Sequence, residues 1–123
     1  MVNLNWYKAF PSELKNVPEK SGVYVISVLL KVGKFAVVYV GQSSNLKNRI
    51  ETHFSENETN IGLKEYVKKP YSFKISYAEV SESELDGIEK FLIHHYNPKF
   101  NIQEGNGDSK NACNLPDAIN YPA

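Results

Sequence analysis

The chain has 123 residues, of which 41% are hydrophobic and 23% charged, a balance typical of one globular domain and unlike that of a disordered chain. It has no apolar run of about 18 residues, which excludes a membrane-spanning helix, and its first residues lack the basic and apolar blocks of a secretory signal. The single Cys113 cannot form an internal disulfide, so we expect an intracellular protein, cytoplasmic or nuclear.

The formal net charge is zero, whereas proteins that bind duplex nucleic acid usually carry a basic surface. The charges are nevertheless uneven, because the segment from Lys31 to Lys74 holds eight Lys or Arg against four Glu. Acids predominate from Ile75 to Lys110. Such a distribution can attract phosphate to one side, and two ordinary solvated faces explain it equally well.

Four segments in the first 80 residues define the predicted sheet and its cover. Residues 1–20 are predicted as an N-terminal arm, with a short helix near Pro11 to Lys15 that covers one edge of the core. Gly22 to Leu30 and Phe35 to Val40 are rich in Val, Ile and aromatic residues, and their short link permits only an antiparallel hairpin. Tyr71 to Val80 alternates as a third strand. The predicted fold class is therefore α+β, a small three-stranded antiparallel sheet flanked by helices.

The first predicted helix follows the hairpin directly, from about Asn45 to Phe54, with Ser43 or Ser44 as its N-cap. Its apolar stripe consists of Leu46, Ile50 and Phe54. Arg49 and His53 are four residues apart, so they share a face, which we expect beside the apolar stripe rather than on it.

A polar, loop-like stretch from Ser55 to Asn60 and one or two helical turns at Ile61 to Lys68 come next. The second clear helix is predicted from about Glu84 to Tyr96. Its buried stripe consists of Leu85, Ile88, Leu92 and Tyr96. Glu89 lies at the margin of this apolar face, where the sheet can half enclose a carboxylate that still reaches solvent.

Residues 21–103 are predicted to form one domain, and 104–123 a tail that is loop-like or partly disordered. The tail is rich in Asn, Gly, Asp and Pro, which disfavour a packed core. We expect it to dock on the domain only through a few apolar side chains, namely Leu115, Ile119 and Tyr121.

Two short motifs in the hairpin, with four later residues in a fixed order, resemble the GIY-YIG nuclease superfamily. The resemblance covers Gly22 to Asn101. The motifs are Gly22, Val23, Tyr24 and Tyr39, Val40, Gly41, and the later residues are Arg49, His53, Glu89 and Asn101. Each element alone is weak, whereas the full ordered set is specific.

The resemblance implies a metal-dependent endonuclease that hydrolyses DNA phosphodiester bonds without a covalent enzyme intermediate. It implies one divalent ion per site, Mg²⁺ or Mn²⁺, bound by Glu89. One carboxylate with several waters is a normal protein share for Mg²⁺. Tyr24 would be the general base, and Tyr39 would hold the attacking water or share in activating it. A phenol has a pKa near ~10, so which tyrosine acts as the base stays open.

The remaining matched residues would bind the phosphate or hold the site in place. Arg49 offers a fixed cationic fork for phosphate oxygens. His53 would orient a tyrosine or protonate the leaving group, and Asn101 would anchor the chain behind the metal-binding helix. Some members of the superfamily have Lys where this chain has Gln42. One phosphate-facing charge is then absent or supplied by Lys47, and the predicted substrate-binding residues are Arg49, Gln42 and Lys47.

Each of these residues also has an ordinary structural explanation, such as a half-buried strand Tyr or a surface ion pair. The alternative function is therefore a catalytically weak or inactive module of the same fold that binds nucleic acid or a protein partner. DNA and RNA are not distinguished, nor are restriction, repair and mobile-element roles. A homodimer or a separate recognition partner would supply specificity, and no membrane partner is expected.

Overall fold

The structure, a computed structural model, describes residues 2–31, 33–101, 105 and 111–116. Its centre is a four-stranded antiparallel sheet with strand order β1-β4-β2-β3. The strands are β1 (Tyr7–Ala9), β2 (Gly22–Lys31), β3 (Lys34–Ser43) and β4 (Phe73–Glu79). The helices are α1 (Leu46–His53), α2 (Ile61–Val67) and α3 (Leu85–Tyr96), and two short 3-10 helices span Pro11–Asn16 and Glu82–Glu84.

The predicted hairpin forms β2 and β3. Gly33 adopts a φ of 79° at the turn, a conformation that favours glycine. The register pairs Tyr24 with Gly41 and Ile26 with Tyr39, and an irregularity follows Ile26. Strand β2 is buried on both faces, which explains why apolar residues fill successive positions from Val23 to Ile26. Strand β3 runs to Ser43 instead of stopping at Gly41, which brings Gln42 into the sheet.

The predicted α+β class and antiparallel sheet are confirmed, but the sheet has four strands rather than three. The additional strand, β1, lies in the segment predicted as an arm. It pairs Tyr7 with Tyr77 and Ala9 with Ile75 on β4. Its three residues are too few to show the alternation that predicts a strand, and only the exposed edge of β4 gives them a partner.

Helices cover both faces of the sheet. Helices α1 and α2 pack on the face that carries Tyr24 and Ile26, and α3 packs on the face that carries Val23 and Val25. The N-cap of α1 is Asn45, whose side chain accepts a hydrogen bond from the amide of Asn48 at 3.0 Å. Ser43 and Ser44, predicted as caps, precede it, because β3 continues to Ser43 and the helix starts later than expected.

The chain near the C-terminus meets the N-terminal segment on the α3 face. Val2 forms a parallel bridge with the buried Cys113, and the Asn114 side chain bonds to the backbone of Leu4. Leu115 keeps 38% of its surface exposed. Most of the predicted tail, including Ile119 and Tyr121, lies outside the described residues. None of the described helices is long and apolar enough to cross a membrane.

Candidate active site

The two motif tyrosines share one face of the hairpin. Tyr24 lies directly opposite Gly41, and a Cβ atom at Gly41 would collide with the Tyr24 hydroxyl. The glycine of one motif therefore makes room for the tyrosine of the other. The rings of Tyr24 and Tyr39 are 6.3 Å apart between centroids. Tyr24 is fully buried, whereas Tyr39 keeps part of its surface exposed.

His53 at the end of α1 packs against both rings. Its Nε2 lies 2.5 Å from the Tyr24 hydroxyl oxygen, and its ring meets Tyr39 edge-on at 4.9 Å. The expectation that His53 lies beside the apolar stripe was wrong, since the side chain is completely buried. Burial is possible because both ring nitrogens meet polar partners. Arg49, one turn earlier, stays 33% exposed in its side chain.

A carboxylate that the sequence did not reveal completes this cluster. Glu58 is 4% exposed, although it lies in the stretch predicted as a polar loop. Its Oε2 contacts His53 Nδ1 and lies 3.6 Å from Arg49 Nη1. Its Oε1 accepts a hydrogen bond from the amide of Asn60 at 2.9 Å. Nothing in the spacing of the acids between residues 51 and 58 distinguishes Glu58 from its exposed neighbours, and only the fold identifies it.

Burial and charge act differently on the titratable groups. Burial raises the pKa of Tyr24 well above its usual value, and the Tyr39 phenol adds to the rise while Arg49 opposes it. Burial also raises the pKa of Tyr39, which Arg49 lowers by its charge and by a side-chain hydrogen bond. Burial, followed by Arg49, lowers the pKa of His53, and Glu58 opposes this. His53 is therefore neutral near pH 7.

Glu89 on α3 meets the hairpin from the opposite layer. It is 7% exposed, and its Oε1 accepts a hydrogen bond from Gln42 Nε2 at 3.2 Å. Gln42 also donates to the exposed Asp86 one turn earlier on α3. After burial and Arg49, the negative charge of Glu89 contributes to raising the pKa of Tyr39. Glu89 thus contacts the hairpin at Gln42, next to the last residue of β3.

The donor set fits a hard divalent cation held by one protein carboxylate. In the described part of the chain, no group of three or more His, Cys, Asp or Glu side chains could hold a metal ion. Water would therefore supply most of the ligands of an ion bound here. This suits Mg²⁺, which dehydrates reluctantly and usually keeps several water ligands. Glu89 supplies a mostly buried carboxylate whose negative charge acts on both phenols.

Two other predicted residues have different surroundings. The Asn101 side chain accepts from the Val40 amide and donates to the Val40 carbonyl, both at 2.8 Å. It thus anchors the chain that follows α3 to β3 beside Tyr39. Lys47 lies two residues before Arg49 on α1, so the two side chains leave the helix on different sides.

A two-tyrosine hairpin, a helix carrying Arg and His, and a buried Glu on a helix of the opposite layer define a domain of the GIY-YIG nuclease class. The family model described as the UvrC-like GIY-YIG domain matches residues 20–102. The chain therefore belongs to the UvrC-like GIY-YIG family, and the predicted superfamily is confirmed.

Two relatives named UvrABC system protein C agree with this assignment. The protein of Ruminiclostridium cellulolyticum is 36% identical over 91 residues, and that of Clostridium botulinum strain Hall is 34% identical over 93 residues. Each match covers 73% of this chain and 14% of the relative. The chain thus corresponds to a small part of the length of these curated relatives.

Solved structures agree on the fold. Two crystal structures of the GIY-YIG N-terminal endonuclease domain of UvrC from Thermotoga maritima, both of point mutants with the catalytic divalent cation bound, match at TM-scores of 0.55 and 0.53. Sequence identity is 21% and 22%, and each match covers 73% of this chain and 91% of the other. At this identity the likeness shows a common fold.

Proposed function

We propose that this chain is a divalent-metal-dependent endonuclease that hydrolyses DNA phosphodiester bonds. The observation that carries the proposal is the placement of three chemically different groups around β3. Tyr39 lies in the strand and contacts His53, and Arg49 lies one turn before His53 on α1. Glu89 binds Gln42 of the same strand. Tyr39 is a partly exposed phenol, and besides burial, which raises its pKa, the positive charge of Arg49 lowers that pKa and the negative charge of Glu89 raises it. Phosphodiester hydrolysis needs an activated water, a cation for the extra phosphate charge and a ligand for a metal, and these residues supply one each.

Tyr39 is proposed as the phenol that contacts the attacking water. Tyr24, the tyrosine to which the resemblance assigns the base role, has no surface that a solvent molecule reaches, and its hydroxyl is engaged with His53. Tyr39 retains exposed surface, and Arg49 beside it opposes the rise in its pKa. The Tyr39 phenolate, stabilised by the Arg49 cation, would accept the proton of the bound water and become a neutral phenol, while the resulting hydroxide attacks phosphorus.

The other residues act around this step. Arg49, one-third exposed, would turn its fork toward the non-bridging oxygens of the phosphate. Glu89 would bind the divalent cation, which when present supplies Lewis-acid stabilisation of the phosphoryl oxygens. His53 would orient Tyr24 rather than protonate a leaving group, because the ring has no exposed surface. Asn101 would hold β3, and hence Tyr39, in place.

DNA is the proposed substrate. The positive segment from Lys31 to Lys74 contains Arg49 and supplies basic surface on one part of a chain whose net charge is zero. The zero net charge also favours help from a second copy of the chain or a separate recognition partner. Mg²⁺ or Mn²⁺, one ion per site, and an intracellular location remain predictions.

The first test uses supercoiled plasmid, purified protein and its Glu89→Ala variant, each with Mg²⁺ or with EDTA. We expect nicking by the wild type in Mg²⁺ only and loss of nicking in the variant. Equal nicking by both proteins, or nicking in EDTA, would contradict the proposal. Parallel duplex, branched and single-stranded DNA and RNA substrates identify the preferred nucleic acid.

The zero net charge favours a second candidate, a non-catalytic module of the same fold that binds nucleic acid. For this candidate the wild type and Glu89→Ala would bind DNA equally and cleave nothing. A salt titration of DNA affinity then measures phosphate contacts, since log K falls with log[salt] by about 0.9 per contact. An absence of salt-sensitive binding would favour a protein partner.

A further inference from the structure

Glu58 is a fully buried carboxylate with no role in the function described so far. Its side chain has 0% exposure, and a lone buried charge is unfavourable unless cations or hydrogen-bond donors surround it. The Asn60 amide donates a hydrogen bond to Oε1 at 2.9 Å, and Oε2 lies 3.6 Å from Arg49 Nη1 and contacts His53 Nδ1. Arg49 and His53 belong to the proposed active site.

We propose that Glu58 is a positioning residue that fixes His53 in one tautomer and holds Arg49 in place, and so orders both phenols of the site. This inference rests on the proposed function. It concerns a residue that lies between the two helices α1 and α2, outside both tyrosine motifs.

Hydrogen-bond chemistry indicates how Glu58 fixes the tautomer of His53. A neutral imidazole donates from one ring nitrogen and accepts at the other. A carboxylate only accepts, so Glu58 at Nδ1 places the proton on that nitrogen. Nε2 is then left to accept the Tyr24 hydroxyl, 2.5 Å away. Glu58 thereby sets the direction in which the Tyr24 O–H points.

The negative charge of Glu58 holds the Arg49 side chain in place. Glu58 Oε2 lies 3.6 Å from Arg49 Nη1, and the positive charge of the same guanidinium opposes the rise that burial causes in the pKa of Tyr39. A planar guanidinium held at one end has fewer orientations open to its other donors. The same carboxylate therefore aligns Tyr24 through His53 and Tyr39 through Arg49.

Glu58 is itself fixed by the surrounding backbone. Asn60, whose amide binds Glu58, also caps α2 through Leu63 and donates from Nδ2 to the Phe100 carbonyl at 2.8 Å. Phe100 in turn bonds to β3 through its amide and the Val38 carbonyl. A purely structural role for Glu58, confined to shaping this loop, is the alternative that the experiment must separate.

The experiment compares the wild type, Glu58→Gln and a matched control, Glu56→Gln, which alters an exposed acid two residues earlier. The first readout is the ¹⁵N spectrum of the imidazole nitrogens, which reports the tautomer without any cleavage reaction. We expect His53 of the wild type and of the control to carry its proton on Nδ1. A wild type protonated on Nε2 would overturn the proposal, whatever the fate of the variant.

The second readout is single-turnover cleavage of a labelled duplex at saturating DNA, with the DNA affinity measured separately. We expect Glu58→Gln to cleave about 10- to 100-fold more slowly, the range typical of residues that position active-site groups without contacting the substrate. The DNA affinity should change less than the cleavage rate. Glu56→Gln should match the wild type. A Glu58→Gln rate equal to that of the control would overturn the proposal.

The two readouts separate the two claims. If the wild type cleaves nothing, the proposed function fails, and the tautomer of His53 alone still decides whether Glu58 positions the ring. If the wild type cleaves and the tautomer is wrong, the function stands and the inference falls. If Glu58→Gln does not fold, the wild-type tautomer decides.

Discussion

Removal of one hydroxyl from each motif tyrosine should produce opposite effects on stability and on catalysis. The Tyr24 hydroxyl is buried and bonds to His53 Nε2, so Tyr24→Phe leaves a buried acceptor without its partner. Such a change costs about 1–3 kcal/mol of unfolding free energy. The Tyr39 hydroxyl lies on a partly exposed side chain, so Tyr39→Phe should change stability by less than about 0.5 kcal/mol.

Catalysis should show the reverse order. If Tyr39 contacts the attacking water, its loss removes the proton acceptor, and general-base catalysis contributes about 10²- to 10⁴-fold. Tyr24 has no exposed surface and its hydroxyl is held by His53, so it does not contact the attacking water, and Tyr24→Phe should slow cleavage by no more than about 10- to 100-fold. Tyr39→Phe is therefore expected to be the slower enzyme and the more stable protein of the two.

The assay pairs urea unfolding of both variants with single-turnover cleavage of one labelled duplex in excess enzyme. Measuring both on the same preparations separates a folding defect from a chemical one. A Tyr24→Phe variant that is as stable as the wild type and slower than Tyr39→Phe would refute the assignment. It would return the base role to Tyr24, as the family resemblance alone implies.

Three further changes test the framework of the site. Gly41→Ala should lower stability by about 1–3 kcal/mol in thermal unfolding, because its Cβ meets the buried Tyr24 hydroxyl. Asn101→Ala removes both hydrogen bonds to Val40 and should lower stability by about 1–3 kcal/mol, measured in urea. Burial lowers the pKa of His53 in the folded protein from its usual value near 6.5 to about 4, so the unfolded chain binds more protons between about pH 4 and 6.5. Wild-type stability should therefore fall as the pH is lowered through that region, by up to about 1.4 kcal/mol per pH unit, and His53→Gln should show a shallower fall in unfolding measured at successive pH values.

Local patterns in the sequence predicted most of the fold. The β-rich runs around Tyr24 and Tyr39 lie next to each other, so the hairpin followed from chain connectivity alone. The 3.6-residue spacing of the apolar residues located α1 and α3 to within one residue at each end. Strand β1 was not predicted, because a three-residue edge strand forms only when a partner edge is available. Its partner, β4, is about 70 residues away in the sequence.

The site was predictable where residues carry a family motif and unpredictable where the fold supplies the contact. Arg49 and His53 were placed together by their i, i+4 spacing. The burial of His53 was not predictable, because it depends on Glu58 from the next loop and on Tyr24 from the sheet. Glu58 lies in a polar stretch where solvated acids are the ordinary case, so only its tertiary partners distinguish it.

In the proposed mechanism one protein carboxylate, that of Glu89, binds the ion required for cleavage. Asp86 offers a matched control, because it lies one turn before Glu89 on α3 and accepts a hydrogen bond from the same Gln42, yet is exposed.

The most direct measurement is the Mg²⁺ dependence of single-turnover cleavage by the wild type, Glu89→Gln and Asp86→Asn. We predict that Glu89→Gln loses cleavage at all Mg²⁺ concentrations, whereas Asp86→Asn follows the wild-type curve. Cleavage by Glu89→Gln at the wild-type rate, or an equal loss in Asp86→Asn, would contradict a site built on Glu89 alone.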